Sequence, residues 1–150
     1  MRQLLDVFER TKESVLALRR VPKSEAHRYG IVGGKAIGRR LCRIETVVEK
    51  PKPAEAPSEL AIVGRYIFRP EIFSLLAKVA PGKGGEIQLT DGIARLLQER
   101  QIYGYEFSGT HYDVGDKLGL VRATIAYALK REDLRKPLKK YLATVLNESR

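Results

Sequence analysis

The sequence has no tryptophan and a single cysteine, Cys42, among its 150 residues. One thiol excludes an internal disulfide and a cysteine-rich metal site. Histidine is nearly as scarce. His27 and His111 stand far apart, and neither has a serine or carboxylate in triad-like context, so there is no case for a nucleophilic hydrolase. No apolar run approaches the ~20 residues that span a bilayer. The apolar stretch in the opening "MRQLLDVFER" is too short for a signal peptide. The expectation is a cytoplasmic chain with no membrane partner. A glycine-rich phosphate loop of the usual spacing is also lacking. "GIVGGKAIG" is rich in glycine, but no helix follows it.

What is present is positive charge. Lysine and arginine number 28 against 18 acids, a net charge of +10. Such a surface suits nucleic acid, an anionic membrane or small phosphorylated ligands, or it is a solvated basic face. The densest cluster, "LKREDLRKPLKK", is interrupted by acids, and the tyrosines do not interleave with it. Nucleic-acid modules pair basic patches with stacking aromatics or a reading helix, so nucleic acid is not the expected partner.

Periodicity predicts alternating elements. "QLLDVFER" places Leu4, Leu5 and Phe8 on one helical face. "SVLALRR" reads as a strand, and a helical turn follows Pro22. "YGIVGGK" is a short strand or turn. In "LCRIETVVEK", Cys42, Ile44, Thr46 and Val48 share one face of a strand. "PKPAEAPSE" is a loop, and "LAIVGRYIF" is a strand buried on both faces. Pro70 opens a helix carrying Ile72, Leu75, Leu76 and Val79. "PGKGG" is a loop, and Glu86 to Glu99 a helix with Leu89, Ile93, Leu96 and Leu97 facing the core. "IYGYEF" is a strand, and "SGTHYDVGD" a short strand inside turns. Two last helices carry Leu118, Val121, Ile125 and Leu129, then Leu134, Leu138, Leu142 and Val145. The alternation indicates an α/β fold with a mixed, mainly parallel sheet.

Ligands of open α/β sheets collect beyond the carboxyl ends of strands. "VVEKP" puts Glu49 and Lys50 there, and Pro51 and Pro53 stop the strand. A carboxylate can accept hydrogen bonds from several sugar hydroxyls, and an ammonium suits phosphate. The alternative is a solvated strand end. "YDVGD" offers Asp113 and Asp116, whose hard oxygens suit Mg²⁺. By spacing alone, the better account has Asp116 capping the next helix and Asp113 holding a turn. Glu86 in "GGEIQLTD" reads as a capping residue at a helix N-terminus. Cys42 reads as a packed thiol.

Four stretches, "HRYGIVGG", "VVEKPKPAEAPSELAIVGRYIF", "GGEIQLTDGIARLL" and "YDVGDKLGLVRATIAYAL", occur in an order and spacing that resembles the bacterial UTP–glucose-1-phosphate uridylyltransferases (UDP-glucose pyrophosphorylases). The resemblance runs from Met1 to the mid-140s. It implies the Rossmann-like nucleotide-diphospho-sugar transferase fold. It also implies synthesis of UDP-glucose and pyrophosphate from UTP and glucose-1-phosphate, with Mg²⁺ as cofactor. By the same resemblance Glu49, Gly30 and Gly64 bind the sugar, Lys50 is catalytic on the phosphates, and Asp113 binds the metal. The family's N-terminal half, with its nucleotide loop, has no counterpart in these stretches. The expectation is therefore a C-terminal portion, residues 1–150, with a helical tail at about 117–147 and the nucleotide-binding half missing. Such a chain is expected to be inactive alone and to form a homo-oligomer. The competing expectation is a non-catalytic basic α/β module for binding or assembly.

Overall fold

The computed structural model describes residues 1–82 and 85–148. The loop expected at 81–85 therefore falls partly outside the described residues. The chain divides into two compact units, one Met1–Ser108 and the other from Gly109 onward.

Among the described residues the first unit holds five strands: β1 (Ser14–Arg20), β2 (Gly30–Ala36), β3 (Leu41–Glu49), β4 (Leu60–Ile67) and β5 (Ile102–Glu106). Its helices are α1 (Arg2–Thr11), α2 (Glu71–Leu76) and α3 (Leu89–Glu99), with a 3₁₀ turn at Lys23–Arg28. The strands pair in the order β1-β4-β2-β3-β5, and β5 pairs back with β1. Among the described residues only β1 and β5 run parallel; the other four pairings are antiparallel. This corrects the mainly parallel sheet. Only four residues, Ile37–Arg40, join β2 to β3, and a parallel pair needs a crossover of a dozen or more. The β1–β5 pair has one, containing α2 and α3.

The continuous apolar run of β1 is buried on both faces, as its lack of alternation predicts. Leu16 and Leu18 meet Ile72 of α2 and Ile93 and Leu96 of α3, while Val15 and Ala17 meet Leu4 and Val7 of α1. On α1 the buried pair is thus Leu4 and Val7, and Leu5 is exposed. Leu5 lies about 100° around the helix from Leu4, off the stripe that the i, i+3 pair defines.

β3 departs from simple alternation. Gly33 pairs with Thr46, but the next residue, Gly34, pairs with Ile44, which leaves Glu45 unmatched. This is a β-bulge: one extra residue reverses the faces of everything after it. Cys42 and Ile44 are buried as expected, whereas Thr46 and Val48 are exposed. Val47 turns inward instead and packs on the core. Gly34 permits the bulge, because a Cβ there would collide with the Arg43 carbonyl. The glycines of "GIVGG" therefore serve strand approach.

In the second unit, residues 109–116 form turns and no strand, which corrects the strand expected in "SGTHYDVGD". α4 (Lys117–Ala128) begins at Asp116, whose carboxylate accepts the Gly119 N–H at 2.8 Å. α5 (Glu132–Glu148) follows a three-residue break. Arg135 Nε donates to the Leu129 carbonyl at 3.0 Å and so satisfies an open acceptor where α4 ends.

Candidate active site

The last ladder position of β3 pairs Glu49 with Gly30. Lys50 N–H then donates to the Tyr29 carbonyl at 3.0 Å. Pro51 has no N–H to continue the ladder. Because the bulge at Glu45 reverses the faces, Glu49 follows Val47 inward; without it, Glu49 would share the exposed face of Arg43 and Glu45.

Lys50 has φ 46°, in the left-handed region. For a residue with a Cβ this conformation costs about 1–2 kcal/mol. It turns the chain sharply, so two adjacent side chains that would otherwise diverge come together. Lys50 Nζ lies 3.9 Å from Glu49 Oε1, with the side chains 61% and 31% exposed. An ion pair this wet contributes little to stability. The ammonium can exchange its carboxylate partner for a phosphate at small cost.

Beside this pair is a cavity of about 280 Å³, lined among others by Tyr29, Gly30, Glu49, Tyr66 and Thr90. Gly30 forms part of its wall by having no side chain. A Cβ there would sit 3.1 Å from Glu49 Oε2 and 3.3 Å from Ile62 Cδ1. A main chain bare of Cβ lets a ligand approach its amide plane closely. Arg19 fixes Tyr29 by donating from Nη2 to its hydroxyl oxygen at 2.9 Å. Tyr66 stacks on Phe68 with ring centroids 5.2 Å apart. Burial pushes the Tyr66 phenol above its ordinary pKa, and the charge of Glu49 adds to this, so the hydroxyl stays a neutral donor. From the first turn of α3, Thr90 Oγ1 donates to Glu49 Oε2 at 2.5 Å.

The structure thus brings Gly30, Glu49 and Lys50 together. Gly64 does not line this cavity. It sits with φ 67° in an irregular stretch of β4, where the pairing with β1 jumps from Tyr66 to Ile62. Asp113 belongs to the second unit, where its Oδ1 accepts the Gly115 N–H at 3.1 Å, a turn contact of the kind its spacing suggests. Asp116 is the cap already described. Glu86 does not cap α3, which starts only at Leu89 behind Gln88. Among the described residues no three His, Cys, Asp or Glu side chains converge as a metal-binding group. The single carboxylate of Asp113 fits the chemistry of Mg²⁺, which is held by one or two carboxylates and otherwise by phosphates and water.

Thr90 and Tyr66 were not singled out from the sequence. Thr90 lies inside "EIQLTD", a motif with a visible pattern, but its partner is 41 positions away.

The model of the nucleotidyl transferase family matches residues 1–129. The chain belongs to that family. The match corrects the expectation of a C-terminal portion whose nucleotide-binding half is missing: nearly the whole chain is nucleotidyl transferase domain, and no missing half is inferred. Within the family, the UTP–glucose-1-phosphate uridylyltransferase of Staphylococcus epidermidis is 46% identical over 142 residues, covering 95% of this chain and 49% of the relative. A crystal structure of UDP-glucose pyrophosphorylase complexed with UDP-glucose superposes with a TM-score of 0.82 at 36% identity, over 87% of this chain and 49% of that one. The UTP-bound enzyme of Acinetobacter baumannii gives a TM-score of 0.83 at 29% identity, over 94% and 48%. The chain spans about half the length of the relatives it matches. No helix among the described residues is long and apolar enough to cross a membrane.

Proposed function

We propose that this chain carries the sugar-phosphate site of a uridylyltransferase that makes UDP-glucose and pyrophosphate from UTP and glucose-1-phosphate. The observation that carries the reading is the Glu49–Lys50 pair, 3.9 Å apart, whose carboxylate lines a cavity of sugar size. The relatives' names and the UDP-glucose complex of a similar structure support the choice of substrates.

Each residue then has a task. Glu49 accepts hydrogen bonds from sugar hydroxyls. Gly30 leaves room for the ring, and Tyr66 offers a neutral donor from the cavity wall. Gly64, outside the cavity wall, is retained as a sugar contact on the family resemblance alone. Lys50 leaves Glu49 for the phosphates. A phosphate oxygen of glucose-1-phosphate attacks the α-phosphorus of UTP, the bond to the β-phosphate oxygen breaks, and pyrophosphate leaves. No protein nucleophile is needed, because positioning and charge neutralisation supply the catalysis. By the family resemblance alone, Asp113 would hold Mg²⁺ as one carboxylate ligand, and the ion would supply neutralisation of phosphate charge. The apolar residues exposed on α4 and α5, Tyr127 and Leu146 among them, support self-association of the chain.

Titration with UDP-glucose, and pyrophosphate release from UTP and glucose-1-phosphate with Mg²⁺, test this. In a version of the relatives' full length, Lys50→Ala is expected to lose about a hundredfold in rate, the typical worth of one transition-state charge contact. Its melting temperature should hardly move, since the side chain is mostly in water. Full turnover by Lys50→Ala would remove the lysine from the mechanism. Nucleic-acid binding that falls steeply with salt, with no response to UDP-glucose, would favour the basic binding module instead.

A further inference from the structure

The cavity contains a polar contact whose direction is unusual for its residue type. Four threonines lie in helices among the described residues: Thr11, Thr90, Thr124 and Thr144. Three of them turn their hydroxyls back on their own helix, donating to the carbonyls of Val7, Leu120 and Lys140. This is the ordinary behaviour of threonine in a helix. Thr90 instead donates across 41 positions of sequence to Glu49 Oε2 at 2.5 Å. It is buried, at 8% exposure, on the first turn of α3. Its methyl borders the same spot, with Cγ2 3.5 Å from where a Gly30 Cβ would stand. Both branches of this side chain therefore address the two residues to which sugar binding is assigned.

We propose that Thr90 is a positioning residue for sugar recognition. Its hydroxyl fixes the Glu49 carboxylate so that the remaining lone pairs face sugar hydroxyls, and its methyl packs against the bare backbone of Gly30. The inference rests on the reading of Glu49 as the sugar acceptor. A glutamate side chain at a strand end has free rotamers to lose on binding a ligand. A short hydrogen bond from a buried donor removes that loss in advance, which is preorganisation. One of about four lone-pair sites of the carboxylate is used by Thr90, and the others stay open to a polyol.

The test compares Thr90→Val, which keeps the shape and removes the donor, with Thr90→Ser, which keeps the donor. Glu49→Gln serves as the control for the underlying reading. Titration calorimetry with UDP-glucose is expected to show about tenfold weaker binding by Thr90→Val, as for one hydrogen bond to a charged group. Thr90→Ser should stay within about twofold of the wild type, and UTP affinity should be the same in all three proteins. Wild-type UDP-glucose affinity in Thr90→Val, with binding lost in Glu49→Gln, would overturn the positioning role and leave the sugar site standing. Equal losses in the valine and serine variants would also overturn it. Unchanged binding in Glu49→Gln would overturn the sugar-site reading and this inference with it. A readout without ligand is the NMR signal of the Glu49 side-chain carboxyl carbon, which should move in Thr90→Val and return in Thr90→Ser. A signal unmoved by the valine would refute the contact whatever the titrations show.

Discussion

α3 and α4 are helices of 11 and 12 residues, both rich in apolar residues, but α3 gathers them on one face whereas α4 sets Leu120 and Tyr127 opposite Leu118, Val121 and Ile125. α3 buries Thr90, Gly92, Ile93 and Leu96, whereas α4 buries only Ala123 and leaves Leu118, Leu120 and Val121 more than half exposed. The difference is not in how hydrophobic the residues are but in how they are arranged around the helix and in what they meet. α3 has a partner surface within its own unit, the strand residues Leu16, Leu18 and Ile44 together with α2. Periodicity defines which side of a helix can be buried; a second surface is what makes it a core. The site follows the same division, because Thr90 can hold Glu49 only where α3 is pinned to the sheet.

The sharpest test of this contrast is a pair of truncations. Leu96→Ala should cost about 2–5 kcal/mol in urea denaturation, as a fully buried leucine does. Leu120→Ala should stay within about 0.5 kcal/mol, as exposed substitutions do. Equal costs would erase the distinction between the helices. Next in size is Gly34→Ala, which drives a Cβ into the Arg43 carbonyl at the bulge. About 1–3 kcal/mol of overpacking cost is expected, together with weaker UDP-glucose binding because Glu49 sits downstream. Gly38→Ala is the control, since its Cβ would meet nothing closer than Leu41 Cβ at 3.6 Å. Asp116→Ala should cost about 1 kcal/mol by removing the cap of α4. Its effect should appear as faster amide exchange at Gly119 while amides of the first unit keep their protection. Protection lost equally in α3 would mean that the two units unfold together.

The smallest effect concerns alkaline pH. Burial raises the pKa of both Cys42 and Tyr66 above their ordinary values, Glu106 adding to the first and Glu49 to the second. The folded chain therefore keeps protons that the unfolded chain releases as pH rises through about 8.5–10. Their contribution is complete below that window and is lost as pH climbs from it through the raised values of the folded chain. Melting temperatures between pH 7 and 11 should fall less steeply for Tyr66→Phe than for the wild type. Parallel slopes would mean that the phenol is not protected by the fold.

Much of the architecture was legible because periodicity and proline report directly on local geometry. The five strands that form the sheet, the turn after Pro22 and the cap at Asp116 all lie where short-range pattern puts them. Strand direction was not legible. An α/β alternation suggests crossovers, whereas the four-residue link between β2 and β3 forces an antiparallel pair. The site was half visible. Glu49 and Lys50 were marked by the prolines behind them and by the family motif. The bulge that aims Glu49 depends on how β2 meets β3, and the left-handed turn at Lys50 on what the fold allows at a strand end. Neither leaves a mark in a period-2 pattern. Thr90 was hidden because a helical threonine ordinarily satisfies itself locally, so its long-range bond has no signature in spacing.

Glu45 carries no assigned chemistry and could be exchanged for many residues, yet it cannot be removed. It works as a parity bit: its side chain carries no message, but its count decides which face every later letter of β3 is read on. Along this strand, a single deletion upstream of Glu49 would turn the carboxylate toward water while preserving every functional residue by name. Comparison of related chains should therefore score gaps between Cys42 and Glu49 more severely than substitutions there. A relative that matches this one letter for letter at Glu49 and Lys50 but lacks one residue before them would not share its sugar site.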